Sequence, residues 1–220
     1  MKNSITLLNK ARGIIPPTHD TSIDIIQAFL ASRTSLGISE MAQDYARHKG
    51  SLSTRVRALL ARSIFEGSTR IICALKSHDL ALNLYVNANK DDLKRCKQLE
   101  VADGGSSGSS LHVVQLLDFV IESIEQKFPN FIPKNISAFS LAKEAGCELH
   151  YRTLYFELSR YVHHNPHSIS DEDDPGFAGE LEAFVITSCC ATAEAIAKHY
   201  EHPDRASIIM EAHKLVSETE

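Results

Sequence analysis

Residues 53–76 read STRVRALLARSIFEGSTRIICALK, and their periodicity decides the fold class. Turned at about 100° per residue, Val56, Leu59, Leu60, Ser63, Ile64, Gly67, Ile71, Ala74 and Leu75 cover one broad face. Ala58, Ala61, Phe65 and Ile72 carry the apolar surface round the far side, with Arg57 an outlier inside the apolar arc. Only a narrow stripe stays polar: Arg55, Arg62, Glu66, Thr69 and Arg70. A helix apolar around most of its circumference belongs at the centre of a bundle. Its charged stripe then faces an internal cleft or bulk water, and Arg62 and Glu66, four apart, can pair in either setting. Buried partners would make Glu66→Ala cost about 3–5 kcal/mol; surface partners would make it cost less than about 1 kcal/mol.

The same helical period recurs along the chain, while alternating strand-like runs are nearly absent. An all-α fold follows, a single helical bundle of about eight to nine helices. A first helix over 3–12 ends near Gly13, Thr21 or Ser22 caps a second through Arg33, and Ser39 caps a third to about Lys49. Residues 1–36 thus read as N-terminal helices packing on a bundle of 37–220. After the break at Gly50 and Ser51, the 53–76 helix and one over 79–99 form an antiparallel hairpin. Residues 103–110, DGGSSGSS, have linker composition and predict a flexible loop at 102–110. In 111–128 the stripe Val113, Leu116, Leu117, Val120, Ile121 and Ile124 predicts a core-facing helix, stopped by Pro129 and Pro133. Ser137 caps a short helix ending at Gly146, and another spans about 148–164. A surface loop with acids at 171–174 precedes two closing helices, about 178–201 and 204–217, with Pro203 suited to the first turn of the last.

With 220 residues, 43% hydrophobic and 23% charged, the chain can bury one good core. A formal charge of -5 argues against a protein that coats nucleic acid, though not against a local basic patch. Five cysteines without a CxxC pair, and a start MKNSITLLNKAR without an apolar signal core, fit reduced thiols in the cytoplasm. Charges break every apolar run before the ~20 residues of a membrane span, so no membrane is expected as a partner.

Residues 149–164, LHYRTLYFELSRYVHH, carry the second polar feature. Helical projection puts Tyr151, Leu154, Tyr155, Leu158, Tyr161 and Val162 on the core side and Glu157, Arg160 and His164 toward solvent. Arg152, Ser159 and His163 share the flank between. Tyr155, Ser159 and His163 are successive i, i+4 neighbours, so their polar ends could form a hydrogen-bonded ladder. A histidine on such a flank serves equally as a core-edge residue capping carbonyls near a helix end. No carboxylate on the same flank orients His163, and Glu66 would have to supply one from the other helix.

The stretches LLARSIFEGSTRIICALK, ALNLYVNANKDDLKRCKQL and YFELSRYVHHNPH resemble an uncharacterised family of mostly bacterial helical proteins. Its members pair an Arg-x-x-x-Glu helix with a Tyr-x-x-x-Ser-x-x-x-His helix, and the likeness covers about residues 40–200. Carried over, it selects Arg62, Glu66, Tyr155, Ser159 and His163 and brings no established chemistry. More distantly the chain resembles HEPN-type bundles of toxin, abortive-infection and other defence systems, which often cleave RNA as dimers. Their signature, an Arg followed after four to six residues by a His, is met formally by Arg160 and His167. Tyr161 stands where a polar residue usually follows the Arg, and Arg160 projects away from the core.

That resemblance implies metal-independent cleavage by the ribose 2′-OH, with His163 or His167 as acid or base and Arg62, Arg152 or Arg160 on the phosphate. The catalytic candidates are therefore His163, Arg62, Glu66, Ser159 and Tyr155, and the binding candidates Arg152, Arg160 and His167. No metal and no cofactor is expected: His163 and His164 project about 100° apart and the nearby acids lie in a loop. Phosphate-cradling and serine-hydrolase glycine motifs are missing from the sequence. The expected partners are RNA, a second copy in a homodimer, and a cognate antitoxin or defence-system protein. The alternative is a non-catalytic module binding a small ligand or partner protein through the same cleft.

Overall fold

Ser53 accepts a hydrogen bond from the Val56 amide and starts the helix that decides the fold class, Thr54–Lys76. The computed structural model describes residues 1–16, 23–102, 108–155, 157–159 and 175–219, and the regular structure among them is helical. In chain order the elements are α1 (Lys2–Gly13), α2 (Ile23–His48), α3 (Thr54–Lys76), α4 (His78–Ala102), α5 (Gly108–Lys127) and α6 (Ala138–Glu144). Next come α7 (Glu148–His150), continued by a π-helical turn over Tyr151–Tyr155, α8 (Pro175–His199) and α9 (Arg205–Ser217).

Helices α3 and α8 lie against each other at the centre, with α2 on α3 and with α1 and α9 on α8. Ile64, Phe65 and Ile71 of α3 meet Leu181, Val185 and Ile196 of α8 in one apolar core that also takes Leu7 and Leu8 of α1. Two hydroxyls stitch the central pair: Ser68 donates to the Ser188 carbonyl at 3.1 Å, and Thr192 reaches Ser68 at 2.9 Å. At Gly67 α2 comes close to α3, since a Cβ there would stand 3.0 Å from Cγ1 of Ile38. At the far end, buried Gln27 donates to the Ala74 carbonyl at 2.6 Å, satisfying one of the acceptors a helix C-terminus leaves open. Helix α4 packs on α2, α3 and α5, and a small second core of Leu82, Val86 and Ile124 joins α4 to α5.

The expected helix ends at Arg33 and Ser39 are absent: α2 runs unbroken through Gly37, and the boundary drawn at 36/37 falls inside it. Ser39 is buried in mid-helix and donates to Oδ1 of Asn9 on α1 at 2.9 Å, so tertiary packing gave the hydroxyl a partner no cap was needed for. In α3 the buried face over the first three turns is Thr54, Ala58, Ala61, Ile64 and Phe65, while Val56 and Leu59 are 40% and 47% exposed. The small side chains allow close helix approach there, which a Val/Leu face would not. Likewise α5 buries Val114, Ile121 and Ile124 and exposes Val113 and Leu116, because it packs chiefly on α4 and one helix covers only a narrow stripe. Pro203 precedes α9 and Asp204 holds its N-cap position. Residues 102 and 108–110 of the expected loop are helical; 103–107 lie outside the described residues, as do 160–174 with Arg160, His163, His164, His167 and the acids at 171–174.

Candidate functional site

Two helices that the sequence singled out do meet. Ser137 caps α6 by accepting from the Ser140 amide at 3.1 Å, and Gly146 turns the chain with φ +78°, a value that favours glycine. That turn delivers α7 and its π-helical turn onto the flank of α3. Buried Tyr155 packs its ring on Phe65 at 5.9 Å between centroids, and Phe65 stacks on Phe184 of α8 at 4.9 Å. Four residues back, Tyr151 stacks on Tyr155 at 4.4 Å and 19°.

On this aromatic wall stands a three-residue polar cluster. Arg62 Nε donates to Glu66 Oε1 at 2.9 Å, and the Tyr155 hydroxyl donates to the same oxygen at 2.7 Å. The Arg62 guanidinium also lies over the Tyr155 ring, 4.9 Å from its centroid. The side chains of Arg62 and Glu66 are 21% and 30% exposed, a setting between the buried and the surface alternatives. Burial pulls the Arg62 guanidinium down, but its bonds and charge contacts with Glu66 and Tyr155 outweigh that and hold it above its ordinary value. Burial first, then the bond to Glu66, pushes the Tyr155 phenol up to about 12. At neutral pH the cluster is therefore a protonated phenol and a permanent cation sharing one carboxylate. Nη1 of Arg62 is buried and has no hydrogen-bond partner among the described residues.

The other candidates are placed differently. Ser159 is half-buried, and its hydroxyl donates back to the Tyr155 carbonyl at 2.9 Å, so the expected hydroxyl ladder from Tyr155 to Ser159 does not form. Arg152 is exposed and off the seam: it pairs with Glu148 at 2.7 Å and lies over Phe139. Arg160, His163 and His167 fall outside the described residues. Arg57, the outlier of the apolar arc, donates to the Thr54 hydroxyl at 3.0 Å and acts on Tyr45, a different corner of the molecule. Phe65 and Tyr151 belong to the site although projection placed them only in the core. Their spacing, one residue before Glu66 and four before Tyr155, is the signal that marks them.

Among the described residues no helix is long and apolar enough to cross a membrane, and no group of His, Cys, Asp or Glu could hold a metal ion. No curated protein and no solved structure matches the chain. Residues 57–177 match a family of unknown function, DUF5677, over a span that is narrower than the expected 40–200 yet holds Arg62, Glu66 and Tyr155. The match covers more than half of the 220 residues, and the chain belongs to this family of unknown function.

Proposed function

We propose that the α3–α7 seam is the working site of an HEPN-like module of a defence or stress system, and that its ligand is RNA held at a phosphate by Arg62. The observation that carries this reading is the Arg62 guanidinium, fixed by Glu66 and the Tyr155 ring, permanently charged, and with a buried Nη1 that no described residue bonds. A guanidinium so oriented suits a phosphate oxygen, and the Tyr151–Tyr155 stack supplies a face on which a base can lie. In the catalytic form of the reading, His163 or His167 takes the proton of the ribose 2′-OH. The 2′-oxygen attacks the adjacent phosphorus, the bond to the 5′-oxygen breaks as that oxygen takes the proton from the protonated histidine, and Arg62 stabilises the charge gathering on the phosphate. A homodimer, a cytoplasmic setting and a cognate antitoxin or defence-system partner belong to the same reading.

A second reading, a non-catalytic module binding a small ligand or partner protein, has its own support. The Tyr155 and Ser159 hydroxyls are spent on internal acceptors, and Glu66 already accepts two donors, so these three offer no idle base. Fluorescent single-stranded RNA, titrated for binding and followed for cleavage without added metal, separates the two. Arg62→Ala is expected to weaken RNA binding at least tenfold, and His163→Ala to stop cleavage while leaving binding and the melting transition intact. No saturable RNA binding favours the second reading; RNA binding indifferent to Arg62→Ala removes the seam from the first.

A further inference from the structure

A pocket of about 240 Å³ lies between α2, α3 and α4, bounded on its remaining side by the chain around residues 135–141. Its apolar wall includes the buried side chains of Ile71 and Leu141. Its polar groups are Thr34 from α2, Arg70 from α3, Asn87 and Asp91 from α4, and Asn135. Arg70 and Asp91 are exposed, and neither forms a hydrogen bond or ion pair with a described residue, including each other. The wall facing them is built in advance. Asn83 accepts from the Lys134 amide at 2.7 Å and Asn87 donates to the Lys134 carbonyl at 2.8 Å, so two side chains one helical turn apart pin this segment to α4.

We infer that this pocket binds a small zwitterion, a molecule carrying one carboxylate and one ammonium. The cavity is smaller than the roughly 300–1,000 Å³ typical of drug-sized ligands, which limits the occupant to an amino-acid-like size. An anion drawn to Arg70 alone meets the negative charge of Asp91, and a cation drawn to Asp91 meets Arg70. Only a ligand with both charges satisfies both sides, so each group rejects what the other would admit. Because its Nδ2 is committed to Lys134, the Asn87 amide leaves its oxygen as acceptor for the ammonium. Pinning of residue 134 means little ordering remains for binding to supply. The site stands apart from the seam: Arg70 is eight residues beyond Arg62, about 12 Å along the helix.

The test is a titration of the whole protein with 4-aminobutyrate and with each of the L-amino acids, read from the side-chain amide resonances of Asn87 and Asn135. Acetate and methylammonium serve as single-charge probes. Expected are saturable shifts with at least one zwitterion, single-charge probes at least tenfold weaker, and at least tenfold weakening by both Arg70→Gln and Asp91→Asn. Ala88→Phe, which fills the pocket and keeps both charges, should abolish the shifts. The inference is overturned if no zwitterion shifts these amides saturably, if acetate or methylammonium binds as well, or if binding survives either charge substitution unchanged in protein that melts normally.

Discussion

Glu66 Oε1 accepts from two donors at once, so a double-mutant cycle across it measures how firmly α7 is held to α3. Tyr155→Phe removes a hydroxyl that donates at 2.7 Å from a ring only 6% exposed. Hydrogen bonds to charged acceptors contribute about 1.5–3 kcal/mol, whereas exposed ion pairs contribute about 0–1 kcal/mol. Glu66, 30% exposed, can recruit water once the phenol is gone, which places Tyr155→Phe near the bottom of the first range, about 1–2 kcal/mol. Glu66→Ala strands the phenol and Arg62 Nε together. The guanidinium keeps 21% exposure and the Tyr155 ring beneath it, so the loss falls short of the ~3–5 kcal/mol of a fully buried pair and should be about 2–3 kcal/mol. Acting through one oxygen, the two substitutions should be coupled by about 1 kcal/mol or more. Urea unfolding followed by circular dichroism, with unchanged slopes, gives the three values. Single losses both below about 1 kcal/mol, with coupling inside the ~0.5 kcal/mol scatter of independent sites, would refute a structured seam.

The raised Tyr155 pKa makes a second prediction, on alkaline stability. Its folded value of about 12 exceeds the ordinary 10.0, so its contribution is complete below pH 10 and is lost as pH rises through about 12. Two pH steps correspond to about 2–3 kcal/mol. Tyr45 behaves likewise, so Tyr155→Phe should flatten the pH 10–12 decline of the melting temperature without abolishing it; an unchanged slope would contradict the burial. Thiol titration of native protein should find Cys96 the fastest, Cys147 slower, and Cys73, Cys189 and Cys190 inert, because burial pushes Cys73 and Cys189 up to about 12 and Cys190 to about 11. Reaction of three or more thiols before unfolding would count against that packing. Gly67→Ala meets Ile38, which is fully buried. Overpacking of about 1–3 kcal/mol against a helix-propensity gain of about 1 kcal/mol predicts a net loss of up to about 2 kcal/mol, and a clear gain in urea midpoint would mean that α2 and α3 are not in such close contact.

How much could be read from the sequence depends on what each side chain can signal locally. Ser53 and Ser137 announced their helices because a cap needs only the amides three residues on. Ser39 carried the same local signal and misled, since its acceptor, Asn9, is thirty residues away. The α3 projection found the helix and its polar stripe but misassigned Val56 and Leu59. An apolar arc this wide does not say which part of itself faces a neighbour, and the small residues Ala58 and Ala61 took that place. For α5 the stripe predicts one core-facing side, and the protein offers it mainly one helix. The pairing of Arg62 with Glu66 was legible from spacing alone. That Tyr155 would join them, and Ser159 turn back on its own helix, depended on how α7 docks.

The docking itself has a local cause in the π-helical turn. Over Tyr151–Tyr155 the backbone is wound wider than an α-helix, and the extra residue shifts the helical phase of the positions beyond it. Tyr151 and Tyr155 nevertheless stack face to face, so the widened turn is filled by two aromatic rings and is not a defect left open. The more buried ring of that stack is the one that reaches Glu66 and lies beneath Arg62. Such turns are rare and recur at functional sites. Here the turn is accompanied by the phenol–carboxylate bond and the cation over the ring. Both require Tyr155 in its present direction, so the irregular backbone, the aromatic stack and the charge cluster are one arrangement. Loss of Glu66 would therefore release Arg62 and Tyr155 together, since both donate to its one oxygen.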